Sequence, residues 1–175
     1  MGWVKPENLH LTLRFLGEVE EARLPELSKA IASSLQGTSP FPLALGGLGA
    51  FPDLRFPRVI WIGVKRGAEE LSALQARLEE GLQRIGFSPE DRPFSPHLTL
   101  GRVRSPKRRD RRLRRHPGVV PSGAGCGMEA LVEGLRTIEV PILGEMILES
   151  VDLMRSQLHP TGAIYTIIQR FPLEG

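Results

Sequence analysis

Two stretches of this chain, HLTLRFLG from His10 and HLTLGRVR from His97, open on the same four residues. Both alternate apolar with polar side chains, the period of a β-strand that lies with one face on a core. In the first, His10, Thr12, Arg14 and Leu16 share one face, opposite Leu9, Leu11, Leu13 and Phe15. In the second, His97, Thr99, Gly101 and Val103 share a face, opposite Leu98, Leu100 and Arg102. A fold that suits this chain must seat both copies in sheets and leave both H-x-T faces open. The chain has four histidines in 175 residues, and two of them stand in the same setting 87 positions apart.

The segments between the copies punctuate well. Leu24, Leu27, Ile31 and Leu35 recur at helical spacing, with Pro25 in the first turn and Gly37 past the end. Phe41–Leu45 reads as a short strand and Gly46–Pro57 as a Gly/Pro-rich loop. Val59–Val64 is apolar on both faces, as a central strand is, which puts Trp61 in the core. Leu71, Leu74, Leu78, Leu82 and Ile85 mark a second amphipathic helix closed by Gly86. Met128–Leu135 suits a short helix, and Ile147–Met154 with Ala163–Phe171 a closing strand pair. The expected fold class is α+β, with short antiparallel or mixed strands flanked by helices. Residues 1–175 are expected to form one two-lobed domain, lobe one over 1–90 and lobe two over 91–175.

Charge is concentrated. Between Arg102 and Arg115 lie nine Lys or Arg and one acid, Asp110, a net +8 in a chain of net +3, so the remainder carries −5. One basic segment, 104–127, on an otherwise acidic chain suits a polyanionic partner, nucleic acid first. A solvated loop with no partner fits the charge run equally well. One cysteine, Cys126, excludes an intrachain disulfide. No stretch approaches the roughly 20 apolar residues of a membrane span. The start, MGWVKPENLH, lacks a signal-peptide core, and Pro6 stands where myristoylation wants Ser or Thr. Cytoplasmic residence is the expectation.

On a strand, residues i and i+2 point the same way, so each copy presents an imidazole beside a hydroxyl. Two such strands across a cleft suit phosphodiester cleavage without a metal. One neutral histidine takes a proton from the attacking water; the other, protonated, gives one to the departing oxygen. Histidine serves because its ordinary pKa, about 6.5, lets both forms exist near neutrality. Threonine hydroxyls can donate to the phosphate oxygens, where charge grows. A single H-L-T-L would read as an ordinary half-exposed strand; it is the duplication that carries the chemistry. A zinc site lacks a second ligand at the required spacing. His116 and His159, beside prolines, read as surface residues.

WVKPENLHLTLRFLGEV followed by PFSPHLTLGRVR resembles the two-histidine phosphoesterase superfamily, and within it the LigT-like RNA 2′,3′-cyclic phosphodiesterases, historically called 2′-5′ RNA ligases. The doubled H-x-T-x hallmark is matched by His10, Leu11, Thr12, Leu13 and by His97, Leu98, Thr99, Leu100. Similarity extends to FPRVIWIGV and to SVDLMRSQLHPTGAIYTIIQRFPL, leaving out Ser105 to Glu139. The resemblance implies a bilobal fold with both motifs facing one cleft. It implies His10 as proton donor to the leaving 3′ oxygen, His97 as the base that activates water, and Thr12 and Thr99 on the phosphate. It implies no cofactor or metal, and as partner an RNA bearing a 2′,3′-cyclic phosphate end, tRNA-like fragments included. A monomer acting away from membranes is expected. The reaction opens the ring to a 2′-phosphate; joining or cleaving 2′-5′ linkages, small cyclic nucleotides, or plain RNA binding through the arginine run are the alternatives.

Further candidates for substrate binding are Arg14, on the His10 face, and Arg102, which alternation turns away from His97 unless a bulge intervenes. Tyr165 can stack on a base or fill the hairpin, and Phe51 and Phe56 can line the cleft mouth. Members of the family ordinarily carry a strand and helix ahead of the first motif, and this sequence starts just before it; an unpaired sheet edge is the expected consequence.

Overall fold

The computed structural model describes residues 2–103, 124–159 and 162–175. Its elements run β1 (Gly2–Trp3), α1 (Leu24–Leu35), β2 (Phe41–Phe51), β3 (Val59–Arg66), α2 (Ala68–Arg84), β4 (His97–Arg102), α3 (Ala124–Thr137), β5 (Gly144–Leu148), β6 (Ser150–His159) and β7 (Gly162–Pro172). A five-stranded sheet has the order β1-β4-β3-β2-β5, and β6 and β7 form a separate hairpin. Every pairing among the described residues is antiparallel. The fold is α+β, as the alternation of strand and helix patterns predicts. The sheet does not respect a boundary near residue 90: β4, from the second half of the sequence, pairs with β3 from the first.

The helices follow their apolar stripes. Leu27, Ile31 and Leu35 of α1 and Leu71, Leu74, Leu78 and Leu82 of α2 are buried together with Phe41 and Leu43 of β2. Leu153, Phe171 and Leu173 bring the hairpin onto this core. Across the hairpin, Arg170 donates to both carboxylate oxygens of Asp152 at 2.8 and 2.9 Å.

β2 is longer than Phe41–Leu45 because its glycines serve close packing, not a turn. Gly47 sits at φ 71°, a left-handed bulge position that glycine adopts at no steric cost. A β-carbon at Gly49 would lie 2.2 Å from the Trp61 ring, so only glycine lets that indole lie across β2. The closing strands divide into β5 and β6 at Glu149, with β5 forming the sheet edge beside β2.

The first H-L-T-L stretch departs most from expectation. It forms no ladder; an isolated antiparallel bridge, Leu11 to Leu98, is its pairing among the described residues. A strand requires a neighbour along its length, and beyond Leu11 the described residues supply none. Leu11, Leu13 and Leu16 still pack on the core, whereas Leu9 and Phe15 are exposed.

Candidate active site

The Leu11–Leu98 bridge arranges the two motifs. In an antiparallel register, stepping one residue back on one chain meets one residue forward on the other. His10 therefore stands opposite Thr99, and Thr12 opposite His97. Directly opposed residues share a face, and Leu11 and Leu98 occupy the other one. On β4 itself, His97 and Thr99 share the face opposite Leu98.

The two histidines are anchored in the same way. His10 Nδ1 lies 2.7 Å from the Asn8 carbonyl oxygen, and His97 Nδ1 lies 2.7 Å from that of Ser95. A carbonyl only accepts, so each Nδ1 carries the hydrogen and donates it. Nε2 is then the nitrogen left for chemistry, a lone pair on the neutral ring or a second N–H on the imidazolium. Around His10, Tyr165 packs edge-on with ring centroids 4.9 Å apart. Around His97, Phe51 is edge-on at 4.9 Å and Trp61 lies 6.0 Å away. Tyr165 is thus at the site, not inside the hairpin.

Trp61 also differs from its expected core position. Ile60 and Ile62 are buried on one face of β3, while Trp61 lies on the opposite face, level with Thr99 on one side and Gly49 on the other. Its indole lies beside the His97 ring. The signal was present in the sequence: a tryptophan out of phase with two isoleucines.

Arg102 reaches the face of His97 and Thr99 through a bulge in β4. Trp61 pairs with Thr99, but Ile60 pairs with Gly101, so Leu100 is an extra residue on β4. The alternation slips by one, Gly101 joins the core face, and Arg102 pairs with Val59 on the face of His97 and Thr99. Gly101 itself is buried against Trp3, where a β-carbon would lie 2.9 Å from the indole.

Arg14 is spoken for. Its guanidinium pairs with Glu79 at 3.2 Å and Glu90 at 2.6 Å and donates to the Ser88 carbonyl. The Glu79 contact is a charge pair without hydrogen-bond alignment. The expected role at the phosphate is replaced by a clamp between the first motif, α2 and the loop that leads to His97. His159 ends β6 and is exposed; of the basic segment 104–127, residues 104–123, His116 among them, lie outside the described residues. Among the described residues, no three of His, Cys, Asp and Glu gather where a metal ion would be held. No helix among them is long and apolar enough to cross a membrane.

Residues 3–121 match the model of the 2′-5′ RNA ligase superfamily. The chain belongs to this superfamily. Among superfamily proteins, an RNA 2′,3′-cyclic phosphodiesterase of Methanothermobacter thermautotrophicus is 38% identical over 98% of this chain and 82% of its own length. One from Aquifex aeolicus is 33% identical over 99% and 82%. Solved superfamily-like folds agree: a Thermus thermophilus protein superposes with a TM-score of 0.73 at 30% identity, covering 99% of this chain and 82% of that one. E. coli LigT complexed with 3′-AMP gives 0.71 at 28% identity, with coverage of 99% and 82%.

Proposed function

We propose that this protein is an RNA 2′,3′-cyclic phosphodiesterase, a hydrolase that opens a terminal cyclic phosphate to a 2′-phosphate by paired histidine acid–base catalysis. The observation that supports the reading is the Leu11–Leu98 bridge, which pairs the backbones of the two H-x-T motifs. The names of the superfamily relatives support the substrate class.

In the proposed reaction the cyclic phosphate lies between the motifs. His97, neutral with its hydrogen on Nδ1, takes a proton from water at Nε2 as the water oxygen bonds to phosphorus. The bond from phosphorus to O3′ breaks, and His10 delivers the Nε2 proton of its imidazolium to that oxygen. The products are a 2′-phosphate and a 3′-hydroxyl; proton exchange with solvent resets both rings. The Nδ1 anchors matter because they hold each ring at one tautomer and one angle. Thr12 and Thr99 donate to the non-bridging oxygens, and Arg102 offsets their charge. The chain acts as a single domain on RNA ends in the cytoplasm, without a resident metal.

The test is hydrolysis of a short RNA ending in a 2′,3′-cyclic phosphate, in EDTA, by wild type, His10→Ala and His97→Ala, each shown to be folded by circular dichroism. Each positioned proton transfer contributes roughly 10²–10⁴-fold, and losses of that size are expected. Variants as active as wild type would sink the paired-histidine mechanism. A folded, inactive wild type would sink the substrate assignment.

A further inference from the structure

The end of the sheet where β4 finishes at Arg102 carries groups that the reaction does not use, and the Phe51 ring reaches from there to His97. Phe51, Val59 and Arg102 pair in a row across β2, β3 and β4, and the excursion from Pro52 to Arg58 leaves and rejoins the sheet there. The Arg58 N–H closes it on the Phe51 carbonyl at 2.7 Å, and the Val103 N–H ties it to β4 through the Arg58 carbonyl at 2.9 Å. Inside the loop, the Asp53 carboxylate accepts the backbone N–H groups of Arg55 at 2.6 Å and Phe56 at 3.0 Å. This Asx turn engages the acid of the loop and fixes its shape.

What the turn holds outward is an aromatic ring among cations. Phe56 is 74% exposed. Arg55 and Arg58 are exposed as well, and neither has a carboxylate partner among the described residues. An isolated exposed phenylalanine is common on protein surfaces. Here it is fixed by a hydrogen-bonded turn, stands between two uncompensated arginines, and belongs to a loop rooted at Phe51, whose ring touches His97. An exposed π-face beside unpaired guanidinium groups matches the chemistry of an unpaired nucleic-acid strand, where bases stack and phosphates need cations.

We propose that the Pro52–Arg58 loop is the docking surface for the single-stranded RNA immediately 5′ of the reacting end. One base stacks on Phe56, and the backbone phosphates run along Arg55 and Arg58. The assignment rests on the RNA-end reading of the site, and it deepens that reading: the protein favours oligonucleotide ends over mononucleotides through contacts outside the reaction centre.

The experiment compares a trinucleotide ending in a 2′,3′-cyclic phosphate with a mononucleoside 2′,3′-cyclic phosphate, and measures binding of a fluorescent short RNA by anisotropy. Stacking of one base on an aromatic ring corresponds to roughly a fivefold to hundredfold change in affinity. Phe56→Ala is expected to lower the trinucleotide-to-mononucleotide ratio of kcat/KM by that factor, through KM, and Phe56→Trp to restore it. Removing the base that stacks on Phe56 should cost wild type the same factor and cost Phe56→Ala little. Arg55→Ala and Arg58→Ala should each flatten the salt dependence of RNA binding. An unchanged ratio in Phe56→Ala, or RNA binding indifferent to Phe56, overturns the surface. If wild type binds RNA through Phe56 and opens neither cyclic phosphate, the surface stands and the reaction assigned to the site falls.

Discussion

Leu11 and Leu98 meet across an antiparallel bridge, and each is the second residue of an H-L-T-L motif. The pairing is therefore reciprocal: the backbone of each histidine comes level with the threonine of the other motif. The two threonines are expected to act at opposite sides of one phosphate rather than as spare copies. Thr12→Val and Thr99→Val should each lower kcat by about 10²–10³-fold, the usual loss for one donor to a developing oxyanion. Steady-state kinetics on the cyclic-phosphate RNA check this. A loss confined to KM would mean that the hydroxyls hold the ground state only.

Arg14 and Glu79 form a mostly shielded pair, with side chains 11% and 15% exposed. Arg14→Ala leaves the Glu79 carboxylate without its cation in that setting. The expected cost is about 2 kcal/mol in urea unfolding, below the range for a fully buried pair. Adding Glu79→Gln should return part of it, as coupled residues do. If the double variant is no more stable than Arg14→Ala, the clamp is not coupled.

How far the sequence discloses this arrangement depends on the interaction concerned. The α1 and α2 stripes are local patterns of leucine at helical spacing, and they appear in the structure at nearly their expected bounds. Both histidines and both threonines stand out in the sequence because H-L-T-L is spelled twice. Arg14 and Arg102 could not be placed by alternation alone. One answers to acids 65 and 76 residues away, Glu79 and Glu90, and the other to a one-residue slip in register. The second half of β2, from Gly46, reads as a loop because its glycines look like turn residues, when they make room for Trp61 and Lys65. The bridge at Leu11 instead of a full strand is likewise invisible in the motif, since pairing is a property of neighbours.

Gly49→Ala should test the seat of Trp61. The added methyl meets the indole ring, so the ring must shift toward His97 or β2 must move. A destabilisation of about 1–3 kcal/mol is expected, the usual range for an overpacked site. Trp61→Leu in the same chain should relieve most of it, as read by thermal melting. Additive costs would show that the two positions do not press on each other.

Leu43 has no exposed surface and lies between the sheet and both helices. Leu43→Ala is expected to cost about 2–5 kcal/mol, transfer and cavity together. At temperatures where it remains folded, its kcat should match wild type, since no reacting group touches it. A large kcat loss in the folded variant would show that the core and the cleft are coupled.

The bulge at Leu100 has a further consequence. In a regular strand, sidedness is a matter of parity: odd positions serve one face and even positions the other. One inserted residue reverses that parity partway along β4, so His97, Thr99 and Arg102 serve a single compartment although their numbers are not all odd. Deleting Leu100 would leave Gly101 opposite Ile60 and Arg102 opposite Val59, in a plain ladder. Straightening the bulge with Leu100 kept, so that it pairs with Ile60, would exchange the destinations of the residues downstream, turning the Arg102 guanidinium into the apolar layer and Gly101 onto the face of His97. The register of one peptide unit thereby decides which compartment a charge enters.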